Sequence, residues 1–515
     1  MKNKPFLIII CLAAVLTGIS ISLKNKNASS MNQIFNPFSK DEPAGSRKDK
    51  NIQSEKKISL DEASRLALEN SLDIQIARFD TYRARTSLKN AESIFDTFLN
   101  AETSYRNNSK RSSTTLQDTQ TVTNIYSIGL EKTLPEGSTL EINLEDSRVS
   151  SNLSTTALKP YHEAAVEVSL TQSLGKNFFG LADRAGIKTT RIDIMNAEYT
   201  SLTAIENILC DVQTAYWNLT FKNEELKIKS EMLEEAKKLL NIYKEKYEKG
   251  LVESVDLLAA QANVGAREND TLLSQLEKEI TKNNLLFLLN EGNTSIEIEP
   301  SDSLTITPYN VDIYQELKEA LLYRRDYKTI ANQLKSLNID IAVKKNALWP
   351  EIDLEASFTK NGIKSTLQDS WKDISSENNS EVYVGVSFKM PIENRLSKSD
   401  LKEAKLHKEQ LLLSFKRTER LILKEIHNKT QKINNLKSRL MLLDSIAELQ
   451  QNKLIEEMKH LSYGRSNSDT IIRYENDLLQ ARLNLASTLL NYHISLIELD
   501  AAKNTLLNKY WNGEL

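Results

Sequence analysis

Proline is missing from three long tracts of this chain. None lies between Pro43 and Pro135, between Pro160 and Pro300, or after Pro391. Proline lacks a backbone N–H and clashes with the preceding turn, so helix interiors exclude it; these tracts are where long helices can run. They also carry apolar residues spaced by threes, fours and sevens. Leu60, Ala63, Ala67, Ile74, Ala77 and Ala84 form one such set, and Ile187, Ile194, Ala204, Val212, Leu219, Leu226, Leu233, Leu240 and Tyr247 belong to another. Each set approximates the 3.5-residue repeat of a coiled coil. At ~1.5 Å per residue, a helix from Ile187 to Tyr247 is a rod roughly 90 Å long. A similar rod is predicted from Ser397 to His460. With only 14 Gly and 9 Pro in 515 residues, turns are scarce and the elements must be few and long.

Between the rods the period changes to two. Val382, Val384, Val386, Phe388 and Met390 alternate with Tyr383, Gly385, Ser387 and Lys389. Ile352, Leu354, Ala356 and Phe358 alternate with Asp353, Glu355 and Ser357, and Ala164, Val166, Val168 and Leu170 with Ala165, Glu167 and Ser169. Phe98–Arg106, Tyr126–Lys132 and Leu140–Glu145 are further candidates, the last two joined by the turn Leu134-Pro135-Glu136-Gly137-Ser138. Segments of about ten residues, apolar on one side and polar on the other, suit strands of a transmembrane barrel. A one-sided soluble sheet has the same alternation.

The N-terminus favours the barrel. Lys2 and Lys4 precede an apolar run from Phe6 to Leu23, and Lys24-Asn25-Lys26 follows, the pattern of a secretory signal. The signal is assigned to 1–24 and a polar, flexible leader to 25–57. A net charge of −3 gives no basic footprint for nucleic acid. Cys11 and Cys210 imply no disulfide framework. His162, His407, His427, His460 and His493 have no metal-ligand spacing, and neither a phosphate-cradling glycine loop nor a nucleophile elbow is present. No cofactor and no enzymatic activity are expected.

The chain also repeats itself. Leu72-Asp73 through Tyr105 lies over Arg325-Asp326 through Phe358 without a gap, so that Asp73 falls on Asp326 and Tyr105 on Phe358. Farther on, Tyr247-Glu248-Lys249-Gly250 precedes a helix containing Ala266-Arg267, and Tyr463-Gly464 precedes one containing Gln480-Ala481-Arg482. A tandem duplication follows: a first repeat at 58–290, an extended linker at 291–312 with Pro300 and Pro308, and a second repeat at 313–515. Each half reads helix, strands, long helix, glycine break, helix.

Over nearly all of residues 58–510 the chain resembles the TolC-like outer-membrane efflux protein family. The resemblance rests on Ile58-Ser59-Leu60-Asp61-Glu62-Ala63, Ala67-Leu68-Glu69-Asn70, Trp349-Pro350 where a strand begins, Tyr383 through Pro391 where one ends, and the two glycine breaks. Leu134-Pro135-Glu136-Gly137 and Thr171-Gln172-Ser173-Leu174 look like a subgroup pattern of the same family. The resemblance implies an α+β fold in which three chains close one transmembrane β-barrel, continued by a long periplasmic α-helical barrel. It further implies a homotrimer in outer-membrane lipid that conducts substrates passively, served by a periplasmic adaptor protein and an inner-membrane transporter. The family usually contributes four strands per subunit, whereas six candidates are counted here.

Function is expected at the tips of the rods. Gly250 and Gly464, with Leu251, Val252 and Ser466, mark turns that an adaptor could reach. In the resembled family, acidic residues and a Tyr/Arg network near these tips hold the entrance closed. Asp256, six residues after Gly250, falls on the family's aspartate in the first copy, and Tyr463, Arg465 and Asp469 are the nearest counterparts in the second. Arg473, Tyr474 and Glu475 stand about where a second acidic ring would be. Pro350 and Pro391 mark where strands begin and end. Two rival architectures remain in view: a secreted or periplasmic coiled-coil scaffold without a pore, and a periplasmic adaptor, against which the duplicated long-helix plan argues.

Overall fold

A computed structural model describes residues 56–110, 120–152, 158–292, 296–306, 309–376 and 379–510. The expected signal at 1–24 and nearly all of the leader lie outside the described residues. Strand β1 (Lys56–Ile58) leads into α1 (Leu60–Asn70), whose N-terminus is closed by a capping box between Ser59 and Glu62. Helix α2 (Leu72–Glu92) delivers the chain to four strands: β2 (Thr97–Asn108), β3 (Thr121–Thr133), β4 (Ser138–Ser151) and β5 (Tyr161–Ser173). Helix α3 (Leu181–Glu248) then runs for 68 residues, about 100 Å at ~1.5 Å per residue. A turn returns the chain along α4 (Ser254–Leu288) to β6 (Ile298–Pro300), which pairs parallel with β1.

The second half repeats the plan. Helices α5 (Ile313–Tyr323) and α6 (Arg325–Asn346) precede β7 (Glu351–Lys364), a short helix α7 (Leu367–Ser376) and β8 (Ser380–Lys389). Helix α8 (Arg395–Ser462) again has 68 residues, and α9 (Ser468–Lys503) returns. The first copy holds four strands where the second holds two, so the β3–β4 hairpin has no counterpart, and the second alone carries α7 between its strands.

Helix α3 packs against α2 along its first part and α4 along its last, and α8 packs likewise against α6 and α9. The shorter helices meet end to end. Asn290, just past α4, donates from Nδ2 to the Asn70 carbonyl at 3.1 Å, and Arg325 at the start of α6 donates from its backbone N–H to Asn504 Oδ1 at 2.9 Å. Each chain thus presents four helical columns at every level. Where the columns join, Ile58, Ile74, Ile205, Leu209, Tyr216 and Leu285 form a dry core. Tyr216 donates to Asp302 at 2.6 Å, and Asp302 also accepts from the Leu60 N–H at 2.8 Å, fastening residues between the repeats onto the first helix.

All six long strands form one antiparallel sheet in the order β2-β3-β4-β5-β7-β8. Its register runs unbroken from strand to strand, which places the apolar member of every alternation on the same face. Leu99 pairs with Leu130, Leu130 with Ile142, Ile142 with Val168, Val168 with Phe358 and Phe358 with Val382. The opposite face is polar: Asn100, Gly129, Asn143, Glu167, Thr359 and Glu381 make the adjoining row. The Tyr126–Glu145 hairpin is therefore part of the sheet. Tyr105 and Phe358 share the apolar face, while Tyr161 and Tyr383 stand on the polar one.

Candidate functional site

The two glycine breaks close in the same way. The N–H of Leu251 donates to the Lys246 carbonyl at 2.8 Å and that of Gly250 to Tyr247 at 2.9 Å. In the second copy Arg465 donates to His460 at 2.9 Å and Gly464 to Leu461 at 3.1 Å. These are Schellman closures, which need a left-handed residue one position past the cap. Gly250 has φ +71° and Gly464 φ +70°, and a Cβ on either would meet nothing within 4 Å. Glycine is needed here for its backbone freedom alone.

The turns of the two repeats lie together. Ser468 Oγ, in the first turn of α9, donates to Asp256 Oδ1, in the first turn of α4, at 2.6 Å. Acidic groups at two helix N-termini suit the positive ends of both macrodipoles. Lys246 Nζ donates to the Leu461 carbonyl at 3.2 Å, a cation at a helix C-terminus. Between them Val252, Leu257, Leu461 and Ile471 pack into one apolar cluster around Tyr243. The Tyr243 phenol is pushed up to about 12 by burial and by the nearby Asp256 carboxylate.

One layer in, α4 and α9 share a buried polar network. Asn263 Nδ2 donates to Glu475 Oε2 at 3.0 Å, and Arg267 Nη2 donates to Asn476 Oδ1 at 2.5 Å. Asn263, Arg267 and Glu475 are all buried. Burial pushes the Glu475 carboxyl above its ordinary range, against the pull of Asn263 and Arg267 and with a further push from Glu235. Lys453 sits over the Tyr474 ring at 3.6 Å.

Of the residues singled out in the sequence, Asp256 joins the link between turns. Tyr463, Arg465 and Asp469 are exposed, as are Gly250, Leu251 and Gly464, while Val252 and Ser466 are half-buried. Pro350 directly precedes β7, its carbonyl accepting from the Lys176 N–H at 2.8 Å, and Pro391 follows β8 by two residues. The sequence reading does not single out Lys246, Asn263, Arg267, Ser468 or Asn476. The available signal was Glu475 itself, four residues after Ile471 and three before Leu478 on the apolar side of α9. Among the described residues no helix is long and apolar enough to cross a membrane, and no group of three or more His, Cys, Asp or Glu side chains could hold a metal ion.

Comparison with known proteins agrees with this arrangement. The family model for outer membrane efflux proteins matches residues 63–291. Toxin and drug export protein A of Aggregatibacter actinomycetemcomitans is 24% identical over 212 residues, a match spanning 39% of this chain and 43% of that protein. The fold is that of the CmeC outer membrane channel of Campylobacter jejuni (TM-score 0.63, 16% identity, 87% of this chain and 85% of that one). It is equally that of the outer membrane protein VceC of Vibrio cholerae (TM-score 0.64, 15% identity, 86% and 96%). Residues 63–291 thus match the outer membrane efflux protein family, and both repeats together share the fold of solved outer membrane channels.

Proposed function

We propose that this chain is one subunit of a homotrimeric outer-membrane channel that passively conducts substrates out of the periplasm in an efflux or secretion system. The observation that carries the reading is the unbroken apolar face of the six-stranded sheet. On β8 alone Val382 is 72% exposed, and Val384, Val386 and Phe388 nearly as much. A face of this size in water favours association or membrane insertion. In lipid, an open sheet would leave its edge N–H and C=O groups unpaired. Three copies close the ring. The polar face then lines the lumen, and the helical columns continue the tube into the periplasm.

The paired turns are then the periplasmic entrance. Threefold symmetry makes rings of Asp256, Tyr463, Arg465 and Asp469, and exposed Leu251 with the flanking turn residues offers an adaptor protein its contact. An inner-membrane transporter supplies the driving force. A soluble coiled-coil scaffold would have to cover the apolar face by other means.

Single-channel conductance of detergent-purified protein in a planar bilayer tests the reading. Discrete steps are expected, enlarged by Asp256→Ala or Arg465→Ala. Steps unchanged by both variants would retain the channel and remove these residues from the gate. Protein that remains soluble without detergent and gives no steps would overturn the channel.

A further inference from the structure

At the end of the sheet far from the long helices, the apolar face changes character. The register sets Arg148 of β4 beside His162 of β5, and His162 beside Lys364 of β7. Neighbouring strands lie ~4.8 Å apart, so these three side chains stand shoulder to shoulder. Tyr105 of β2 continues the row through Asn124. Two residues inward comes the row Asp146, Ala164 and Gly362, and two further the row Leu144, Val166 and Lys360. Lys360 thus shares a level with the last apolar side chains.

Helix α7 is laid over the middle row. A Cβ on Gly362 would come within 2.3 Å of the Ser370 carbonyl oxygen and 2.8 Å of Asp373 Cβ, so the helix sits directly on the strand. Asp373 fixes it there, accepting from the Ile363 N–H at 3.3 Å and pairing with Lys364 Nζ at 3.0 Å. Asp146 accepts from His162 Nδ1 at 2.9 Å. Both acids in the patch are thereby engaged, whereas neither Arg148 nor Lys360 forms an ion pair among the described residues.

We propose that Arg148, Lys360 and Lys364, walled by α7, form an outward-facing site for the phosphate group of an outer-leaflet lipid. The inference rests on the reading that the apolar face meets lipid. Charge and continuity select the occupant. The cationic groups accept a phosphate, and the rows below them (Leu144 with Val166, then Ile142 with Val168 and Phe358) receive the acyl chains of the same molecule. A free phosphate would use only the first half of the site. Long basic side chains at such a boundary keep their stems on apolar surface while the charge reaches the headgroups.

The test follows the melting temperature of the detergent-purified full chain in mixed micelles. One set contains a phosphorylated glycolipid, a second its dephosphorylated form, and a third inorganic phosphate without glycolipid. Only the phosphorylated lipid should raise the melting temperature, and its half-saturating concentration should rise about fivefold for each basic residue removed in Arg148→Gln and Lys360→Gln. Arg106→Gln, at nearly the same height but on the polar face, should behave as the parent. An equal rise with the dephosphorylated lipid or with phosphate alone overturns the site. So does an equal loss in Arg106→Gln. Melting in lipid-free detergent reports whether each variant folds, and Lys360→Gln alone suffices if Arg148→Gln does not. Conductance on the same preparation separates two failures. Steps without a phosphate-dependent rise sink the lipid site alone, while a detergent-independent chain giving no steps sinks the channel reading beneath it.

Discussion

Glu475 concentrates the energetics of the tip in one side chain. Its carboxyl is raised chiefly by burial, while Asn263 and Arg267 offset part of that cost. A carboxyl whose folded pKa exceeds its unfolded one binds its proton more tightly in the packed state. Its contribution is therefore fully present below the ordinary carboxylate range and is lost as pH rises through the raised value. Once ionised, Glu475 weakens the contact between α4 and α9, and in the proposed channel that contact would serve as a latch. Glu475→Gln keeps the shape and removes the charge. It should make the amides around Asn263 and Asn476 exchange more slowly at neutral pH, and flatten the dependence of that protection on pH. Faster exchange in the variant would mean that attraction to Arg267 outweighs the burial, and would end this account of the latch. The glycines of the turns act differently: with nothing near their missing Cβ atoms, they fix the direction of the chain and no contact.

The rods and strands were readable because their causes are local. Proline-free tracts and a near-heptad period announced α3 and α8, and two-residue alternation announced all six strands. The strands extend farther than the alternation did. Thr121–Ile125 and Arg148–Ser151 lie beyond the apolar rows, where backbone pairing carries the ladder. The heptad reading of α3 was also incomplete. It found Val212 and Leu219, which are buried, but it missed Ile205, Leu209 and Met232. The helix meets α2 and α4 along one seam and α9 along another, and a single stripe describes only one of them. Least readable was Glu206, whose partners are distant in sequence. It accepts from the N–H groups of Leu506 at 2.8 Å and Leu507 at 3.3 Å, and forms a buried ion pair with Arg325. This knot ties α3 of the first repeat to α6 and the C-terminal turn of the second. Arg325→Met leaves the Glu206 carboxylate buried without its cation and should cost about 3–5 kcal/mol, as breaking a buried pair does. Glu206→Gln should cost less, because the amide oxygen still accepts from Leu506. Denaturant unfolding of the two variants checks the order, and the reverse order would show that the backbone bonds outweigh the ion pair.

For the whole molecule, the number of strands decides how the two parts of the tube fit. In the proposed trimer, three chains would bring twelve helical columns; at ~10 Å between axes these would close a ring about 38 Å across. Eighteen strands ~4.8 Å apart, tilted by ~40°, close a barrel about 36 Å across, whereas twelve would close one of about 24 Å. In that proposed assembly the β3–β4 hairpin would let the barrel continue the helical tube at nearly constant width. Parity is satisfied as well. Six antiparallel strands leave β2 and β8 running in opposite directions, so the seam between one chain's β8 and the next chain's β2 is antiparallel like every other pairing. Cysteines placed in pairs, one among Leu99, Ala101 and Thr103 and one among Val382, Val384 and Val386, should include a combination that oxidises into a covalent trimer on a denaturing gel. The same scan between β3 and β8 should yield none, since β3 lies inside the wall with both of its edges already paired. Cross-linking through β3 but not β2 would place β3 at the seam and remove β2 from the edge of the sheet.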